Sequence, residues 1–386
     1  LSALTVIELL GLTQTLEIAE GWSGISTYLE PLNTNVEDMF APVANDLVML
    51  YKLDGSMYWP AQNLNTMGQW YFYDGHVVKM LQDVLLEVNG TELADKTVQL
   101  QEGLNLIPVL SEFPFDVDLL FSTAPGVVLV KEVAGTGVYL PEWGINTIGA
   151  VLPGSSYFVM TNEAGIISFD LGSNKSGTVY EPTSELSSPW NAVENTPGSH
   201  VVVFNLSGND VQQGDVIGGF TADGHCAGVV AADGETFALT LNAADPFDID
   251  INGFEAGEQI TLKLYREATG ETFELEATYS ENYNKQHFTT NGLSEVTGLK
   301  ATATGTHVGL AAEINVYPNP SSGIFNLTHS EDIEVIEVMD SYGKLIISEK
   351  PGFDMRVDLS DYPTGIYFLK AIATDGSEST HKLIVQ

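Results

Sequence analysis

Apolar and polar residues alternate in short runs along most of the chain, and Gly, Pro, Asn and Asp punctuate the runs. The apolar runs Leu47–Leu50 and Val127–Val130 read as strands, followed by turns at Asp54-Gly55 and Ala134-Gly135. The segments VVVFNL, FALTLN, QITLKLYREA and TFELEATY alternate with period two and are separated by turn residues. Only two stretches, at about 36–45 and 116–124, read as short helices. The predicted fold class is mainly β.

Self-comparison divides the chain further. Gly21–Met80 recurs as Gly103–Met160, at an offset near 81 residues. Tyr58 with Pro60 returns as Tyr139 with Pro141, and Asn65-Thr66-Met67-Gly68 returns as Asn146-Thr147-Ile148-Gly149. This is a tandem duplication, so each copy is expected to fold alike. A Ser/Pro/Gly/Thr-rich stretch then precedes an all-β module, which contains its own echo. Gly214-Asp215-Val216-Ile217 resembles Gly257-Glu258-Gln259-Ile260, as two related hairpins would.

The expected organisation is the end of a preceding module at 1–14, β-rich repeats with short helices at 15–97 and 98–172, and a linker at 173–189. A β-sandwich module at 190–300, a linker at 301–313 and a C-terminal immunoglobulin-like β-sandwich at 314–386 complete it. The opening LSALTVIELLG reads as the interior of a longer chain, of which this sequence is expected to be the C-terminal part.

Charge narrows the functional classes. The 386 residues carry 14 Lys and Arg against 52 Asp and Glu, a net charge of −38, so the phosphates of nucleic acid are repelled. Hydrophobic residues make up 44%, too many for an acidic disordered tail. The single cysteine, Cys226, allows no disulfide framework and no cysteine-based zinc site. No run approaches 18 apolar residues, the length of a spanning helix.

Four chemistries compete for the remaining residues. Trp22, Tyr58, Trp59 and Trp70 in the first copy are a candidate sugar platform, with hydrophobic core as the plain alternative. Leu104, Leu140 and Val151 stand where the first copy has its tryptophans. Asp245, Asp248, Asp250 and Asn252 are candidate calcium ligands, although Gln259 occupies the twelfth position, where an EF-hand loop needs Glu. An acidic hairpin turn explains the same residues. Cys226 beside His225 forms no dyad, because neighbours on a strand point to opposite faces. The seven histidines have no metal-ligand spacing, so no cofactor other than Ca2+ is expected and no catalytic residue is assigned.

The last fifth of the chain is more specific. It reads VYPNPSSGIFNL at 316–327, IEVMDSYGKLI at 336–346, VDLSDYPTGIYFLKA at 357–371 and HKLIVQ at the end. In order and wording these motifs resemble the type A C-terminal sorting domain of cargo exported by the type IX secretion system of Bacteroidota. The residues that carry the resemblance are Tyr317, Pro318, Asn319, Pro320, Gly323, Asp340, Gly343, Pro363, Gly365 and Tyr367. The resemblance implies export through the periplasm and outer membrane to the surface or medium. The implied partners are the outer-membrane translocon, a β-barrel shuttle protein and a sortase that cleaves within 301–313, with lipopolysaccharide attachment to follow. The duplicated module, through its YWP and GINTIG segments, is similar to repeats of large surface proteins in the same bacteria. Two functions are therefore expected: a non-catalytic stalk or adhesin, or the polysaccharide-binding accessory tail of an extracellular hydrolase whose catalytic domain lies upstream.

Overall fold

A computed structural model describes residues 11–124, 126–170, 188–206, 211–248, 250–303, 314–329, 333–340, 343–350, 355–373 and 378–386. The fold is mainly β. The expected linker at 173–189 and cleavage segment at 301–313 fall largely outside the described residues, although one strand continues to Ala303.

The first copy contains β1 (Leu12–Ile18), β2 (Gly21–Ile25), β3 (Leu29–Pro31), α1 (Val36–Phe40), β4 (Leu47–Tyr51), β5 (Met57–Trp59), β6 (Leu64–Asn65), β7 (His76–Met80) and β8 (Val84–Glu92). The second contains β9 (Thr97–Leu100), β10 (Gly103–Pro108), β11 (Phe115–Asp116), α2 (Val117–Phe121), β12 (Val127–Glu132), β13 (Val138–Leu140), β14 (Ile145–Asn146), β15 (Ala150–Val151), β16 (Ser156–Thr161) and β17 (Gly165–Ser168). Their main sheets run β2-β7-β4-β5-β6 and β10-β16-β12-β13-β14, the same order strand for strand. Each short helix starts on a side-chain cap: Asp38 N–H donates to Asn35 over 3.1 Å, and Leu119 N–H to Asp116 over 2.8 Å. Trp22 pairs with Lys79 and Leu104 with Met160, so Met160 takes the place of Lys79 rather than of Met80.

The duplicated Asn-Thr-x-Gly motif is a turn device. Asn65 accepts from Gly68 N–H at 2.7 Å and donates to Glu37 at 3.0 Å; Asn146 accepts from Gly149 N–H and donates to Asp118, each at 2.8 Å. The hydroxyls of Thr66 and Thr147 accept from Met57 N–H and Val138 N–H at 2.9 Å. The motif thus ties the β5-β6 and β13-β14 hairpins to the helices, satisfying groups that would otherwise compete for water.

The two copies pack through equivalent faces. A Cβ on Gly24 would lie 2.6 Å from Ser156 O, and a Cβ on Gly75 would lie 2.9 Å from the Leu106 side chain. In register, Leu106 is the counterpart of Gly24 and Ser156 that of Gly75, so the contact is reciprocal, as about a two-fold axis. Val77, Leu106, Val133 and Phe158 form the buried seam, with Trp22 and Tyr51 at its margin.

The third module has β18 (His200–Asn205), β19 (Val216–Phe220), β20 (Cys226–Ala231), β21 (Thr236–Leu241), β22 (Thr261–Arg266), β23 (Glu271–Tyr279) and β24 (Leu293–Ala303). These form one continuous sheet, β20-β19-β22-β23-β24-β18-β21, antiparallel except between β18 and β24. The sheet coils until its ends meet: a Cβ on Gly228 of β20 would lie 2.1 Å from Thr240 O of β21. The echoed hairpins β19-β20 and β22-β23 lie side by side in it. Its outer face covers the second copy, burying Leu129, Val138, Leu140 and Ile145 against Val201, Val203 and Leu293.

The last module comprises β25 (Ile314–Tyr317), β26 (Ile324–His329), β27 (Ile333–Asp340), β28 (Leu345–Glu349), β29 (Met355–Asp358), β30 (Gly365–Ala373) and β31 (Glu378–Val385). Sheets β25-β26-β29 and β28-β27-β30-β31 enclose Phe325, Ile336, Val338, Leu369 and Leu383. Period-two burial at Phe325 and Leu327, and at Tyr367, Leu369 and Ala371, is the alternation read from the sequence.

Candidate functional site

Two places bring the candidate residues together. The first is the turn system of the last module. The Tyr317-Pro318 and Asn319-Pro320 bonds are both cis, and Asn319 reads the backbone of β31 with both ends of its amide. It donates to Lys382 O over 2.6 Å and accepts from Ile384 N–H at 2.9 Å, so one side chain substitutes for a stretch of strand pairing. Ser321 continues the pairing: its N–H donates to Ile384 O at 3.0 Å and its carbonyl accepts from Gln386 N–H at 2.9 Å.

The other motif residues also have local duties. Gly323 adopts φ +114°, and a Cβ there would sit 2.7 Å from Ser360 Cα while its carbonyl accepts from Leu359 N–H. Asp340 accepts from Lys344 N–H over 3.0 Å, around a turn in which Gly343 adopts φ +79°. Tyr367 is buried and donates its hydroxyl to Pro363 O at 2.7 Å, bracing the corner that delivers Gly365 into β30. Tyr317, Ile366 and Phe368 remain exposed.

The second place is the junction of the first copy with the third module, where two separately read groups converge. Asp245 has no exposed side-chain surface and pairs with Lys79. Its Oδ2 also accepts from the Trp22 indole at 2.7 Å, and its Oδ1 accepts from Phe247 N–H at 2.9 Å. Phe247 meets Trp22 and Trp59 edge to face, with ring centres 5.8 and 5.3 Å apart. Lys79 Nζ lies 5.3 Å from the centre of the Trp22 ring. Tyr51 is pushed up to about 12, first by burial and then by the Asp245 charge. Beside it opens a cleft of about 380 Å³ lined by Trp22, Tyr51, Met57, Gly198 and Phe247.

This geometry corrects two expectations. Trp70 is a core residue, not part of a sugar platform: it is 2% exposed, stacks on His76 with ring centres 3.7 Å apart and donates to Thr27. Tyr58, half buried in β5, packs on the same core. Asp245 is committed to Lys79, Trp22 and its own turn, while Asp248 accepts from Asp250 N–H and Asn252 donates to Asp250 O. Among the described residues no three His, Cys, Asp or Glu side chains are grouped to hold a metal ion. Cys226 is buried, and burial pushes its thiol up.

A lysine that sequence reasoning passed over marks the other half of the junction. Lys131 on β12 is 2% exposed and donates to Pro197 O and Ser199 O, each at 3.3 Å, and to Ser199 Oγ at 2.6 Å. Burial, with no carboxylate partner among the described residues, pushes it down to about 7. Beside it, His200 accepts from Thr289 N–H and shares a hydrogen with Ser294, and burial holds it at about 4. The available signal was a lone lysine inside each apolar run, HVVKM and VVLVKE, in a chain with so few cations.

Residues 315–386 match the family described as the secretion system C-terminal sorting domain. The chain therefore carries a type IX sorting domain and is exported from the cell, to the surface or the medium. Among the described residues no helix is long and apolar enough to cross a membrane. No curated protein matches the chain. Among solved structures, the CD2-binding domain of CD58 is 11% identical, with 48% of this chain and 92% of that one covered and a TM-score of 0.16. The BSP domain of a biofilm associated protein is 9% identical, covering 97% and 96%, with a TM-score of 0.17. Dimeric latent PorU from Porphyromonas gingivalis is 10% identical, covering 80% and 36%, also at 0.17. Scores this low carry no argument about function.

Proposed function

We propose that this exported chain is a non-catalytic surface protein of the adhesin kind, in which residues 11–303 act as one binding head and the sorting domain delivers it. The observation that carries the reading is the shared junction. Lys79 of the first copy and Lys131 of the second each reach into the third module, so buried contacts join each copy to it. A stalk of independent beads needs no such bolts. In this reading the translocon, the shuttle protein and the sortase engage residues 314–386, and the head engages a target outside the cell.

The test is a pair of strains of the native host, one with the full chain and one lacking 315–386. The full chain is expected on intact cells or in the medium, sensitive to added protease, and the truncated chain is expected to stay inside. Cells displaying the head are expected to adhere to a surface or partner that cells without it do not bind; equal adherence would sink the adhesin reading.

A second reading, polysaccharide binding, is favoured by a groove of about 420 Å³ between the two copies, where Trp22 lies with Glu17, Glu132, Ser23 and Ser155. An aromatic face beside carboxylates and hydroxyls suits a sugar ring. Glycan-array binding that Trp22→Ala abolishes, with the fold retained, would support it.

A further inference from the structure

The pairing of Lys131 with Ser199 has a chemistry that neither function uses. Ser199 follows Gly198 at the entry to β18, and its hydroxyl lies 2.6 Å from the Lys131 amine. The other two partners of that amine are carbonyls, Pro197 O and Ser199 O. A neutral amine has two N–H donors and one lone pair. The ammonium donates to all three oxygens, with Nζ 4.9 Å from the centre of the Phe158 ring; once it loses a proton the carbonyls keep the two remaining donors, and the Ser199 hydroxyl turns to donate to the lone pair. That is the arrangement of a serine with a lysine base.

Both side chains are buried, Ser199 at 1% exposed, so no external substrate reaches them. The acyl group next to the hydroxyl is that of Gly198, one bond away along the chain. Gly198 lines the cleft of about 380 Å³, through which water has access to it. A Cβ there would stand 2.9 Å from Ala243 Cβ, so the segment is held closely by the third module.

We propose that the chain cleaves itself between Gly198 and Ser199, with Ser199 as nucleophile and Lys131 as its base. The Ser199 oxygen bonds to the Gly198 carbonyl carbon while its proton passes to Lys131. The Gly198–Ser199 C–N bond then breaks, the proton moves to the departing Ser199 amine, and an ester joins the two halves. One water from the cleft hydrolyses the ester, leaving a Gly198 carboxylate, the Ser199 hydroxyl and a free Ser199 amine. No oxidant, metal or further reactant is needed.

Lys131 suits this role because burial brings its amine near neutrality at physiological pH, with His200 the titratable neighbour and itself neutral there. The halves would remain assembled, because Leu129, Val138, Leu140 and Ile145 pack against Val201, Val203 and Leu293 and the Lys79–Asp245 pair also crosses the cut.

The test uses the purified 386-residue chain, incubated at pH 8 with and without hydroxylamine and followed by intact mass and denaturing gel. Fragments of 198 and 188 residues are expected, the second beginning at Ser199. Hydroxylamine is expected to speed release and leave a hydroxamate on Gly198. Ser199→Ala is expected to abolish cleavage and Ser199→Thr to retain it. Lys131→Arg, which keeps a cation but supplies no base at this pH, is expected to slow it about 100-fold. Circular dichroism establishes that each variant is folded. A folded wild-type chain that stays intact in hydroxylamine overturns the proposal, as does a cut elsewhere or an equal cut in folded Ser199→Ala.

Discussion

The indole of Trp22 donates to the carboxylate of Asp245 across 2.7 Å, joining residues 223 positions apart in the chain. Lys79, which faces Trp22 across the β2-β7 ladder, pairs with the same carboxylate. One acid from the third module therefore satisfies two donors of the first copy. A buried ion pair of this kind gains little over an apolar contact, but losing one partner strands the other without water.

Asp245→Ala is accordingly expected to destabilise the head by about 3–5 kcal/mol, because Lys79 and the Trp22 N–H lose their acceptor together. Asp248→Ala, half-buried in the same loop and accepting from Asp250 N–H, is expected to cost about 1 kcal/mol. Urea unfolding of the two variants checks the contrast. Because the Asp245 oxygens are already committed, the difference between the variants is expected to be the same in EDTA and in millimolar Ca2+. A calcium-dependent gap would restore the cation reading of this loop.

Legibility in the sequence followed the distance between partners along the chain. The Asn-Thr-x-Gly turn was readable as a repeat because Asn65 serves Gly68 and Asn146 serves Gly149, three residues on. The sorting motif is legible by another route, its resemblance to a known family, since Tyr367 braces Pro363 locally but Asn319 serves the distant Lys382 and Ile384. Trp22, Lys79 and Asp245 belong to different modules, and nothing local distinguishes an acid that will be buried from the many that will not. The sugar and calcium readings therefore separated residues that the fold joins. Trp70 was misplaced because large rings in a small repeat serve as core anchors as readily as binding faces.

Acid sensitivity follows from two buried histidines. Both ring nitrogens of His76 lack a hydrogen-bond partner among the described residues, and burial lowers it from 6.5 to about 3. His200 is lowered to about 4 by the same cause. Between those values and 6.5 the unfolded chain binds the protons and the folded chain does not. Their contribution is thus complete above about pH 6.5 and is lost progressively as the pH falls toward 4 and 3, with a slope of about 1.4 kcal/mol per pH unit for each histidine. His76→Phe, which keeps a ring against Trp70, is expected to remove its share of that slope in unfolding measurements between pH 4.5 and 7.

The duplicated turn offers a matched pair of tests. Asn65→Ala and Asn146→Ala each remove an acceptor for a glycine N–H and a donor to a helix carboxylate. Each is expected to cost about 1–3 kcal/mol, the loss of two modest hydrogen bonds. The costs are expected to add in the double variant to within about 0.5 kcal/mol, because the motifs sit in separate cores. Chemical denaturation of the three variants measures this.

In the sorting domain, Asn319 and Tyr367 separate anchoring the last strand from bracing a corner. Asn319→Ala removes the donor to Lys382 O and the acceptor for Ile384 N–H, freeing the end of β31 from the Pro-Asn-Pro turn. Tyr367→Phe keeps the ring in the core and removes only the hydroxyl bond to Pro363 O. Both are expected to lower stability by about 1–2 kcal/mol. If the export machinery reads the presented strand edge, Asn319→Ala is expected to reduce the secreted fraction severalfold more than Tyr367→Phe at matched stability. Hydrogen exchange at Ile384, measured beside the secreted fraction, decides the matter: faster exchange with unchanged export would show that recognition lies away from this edge.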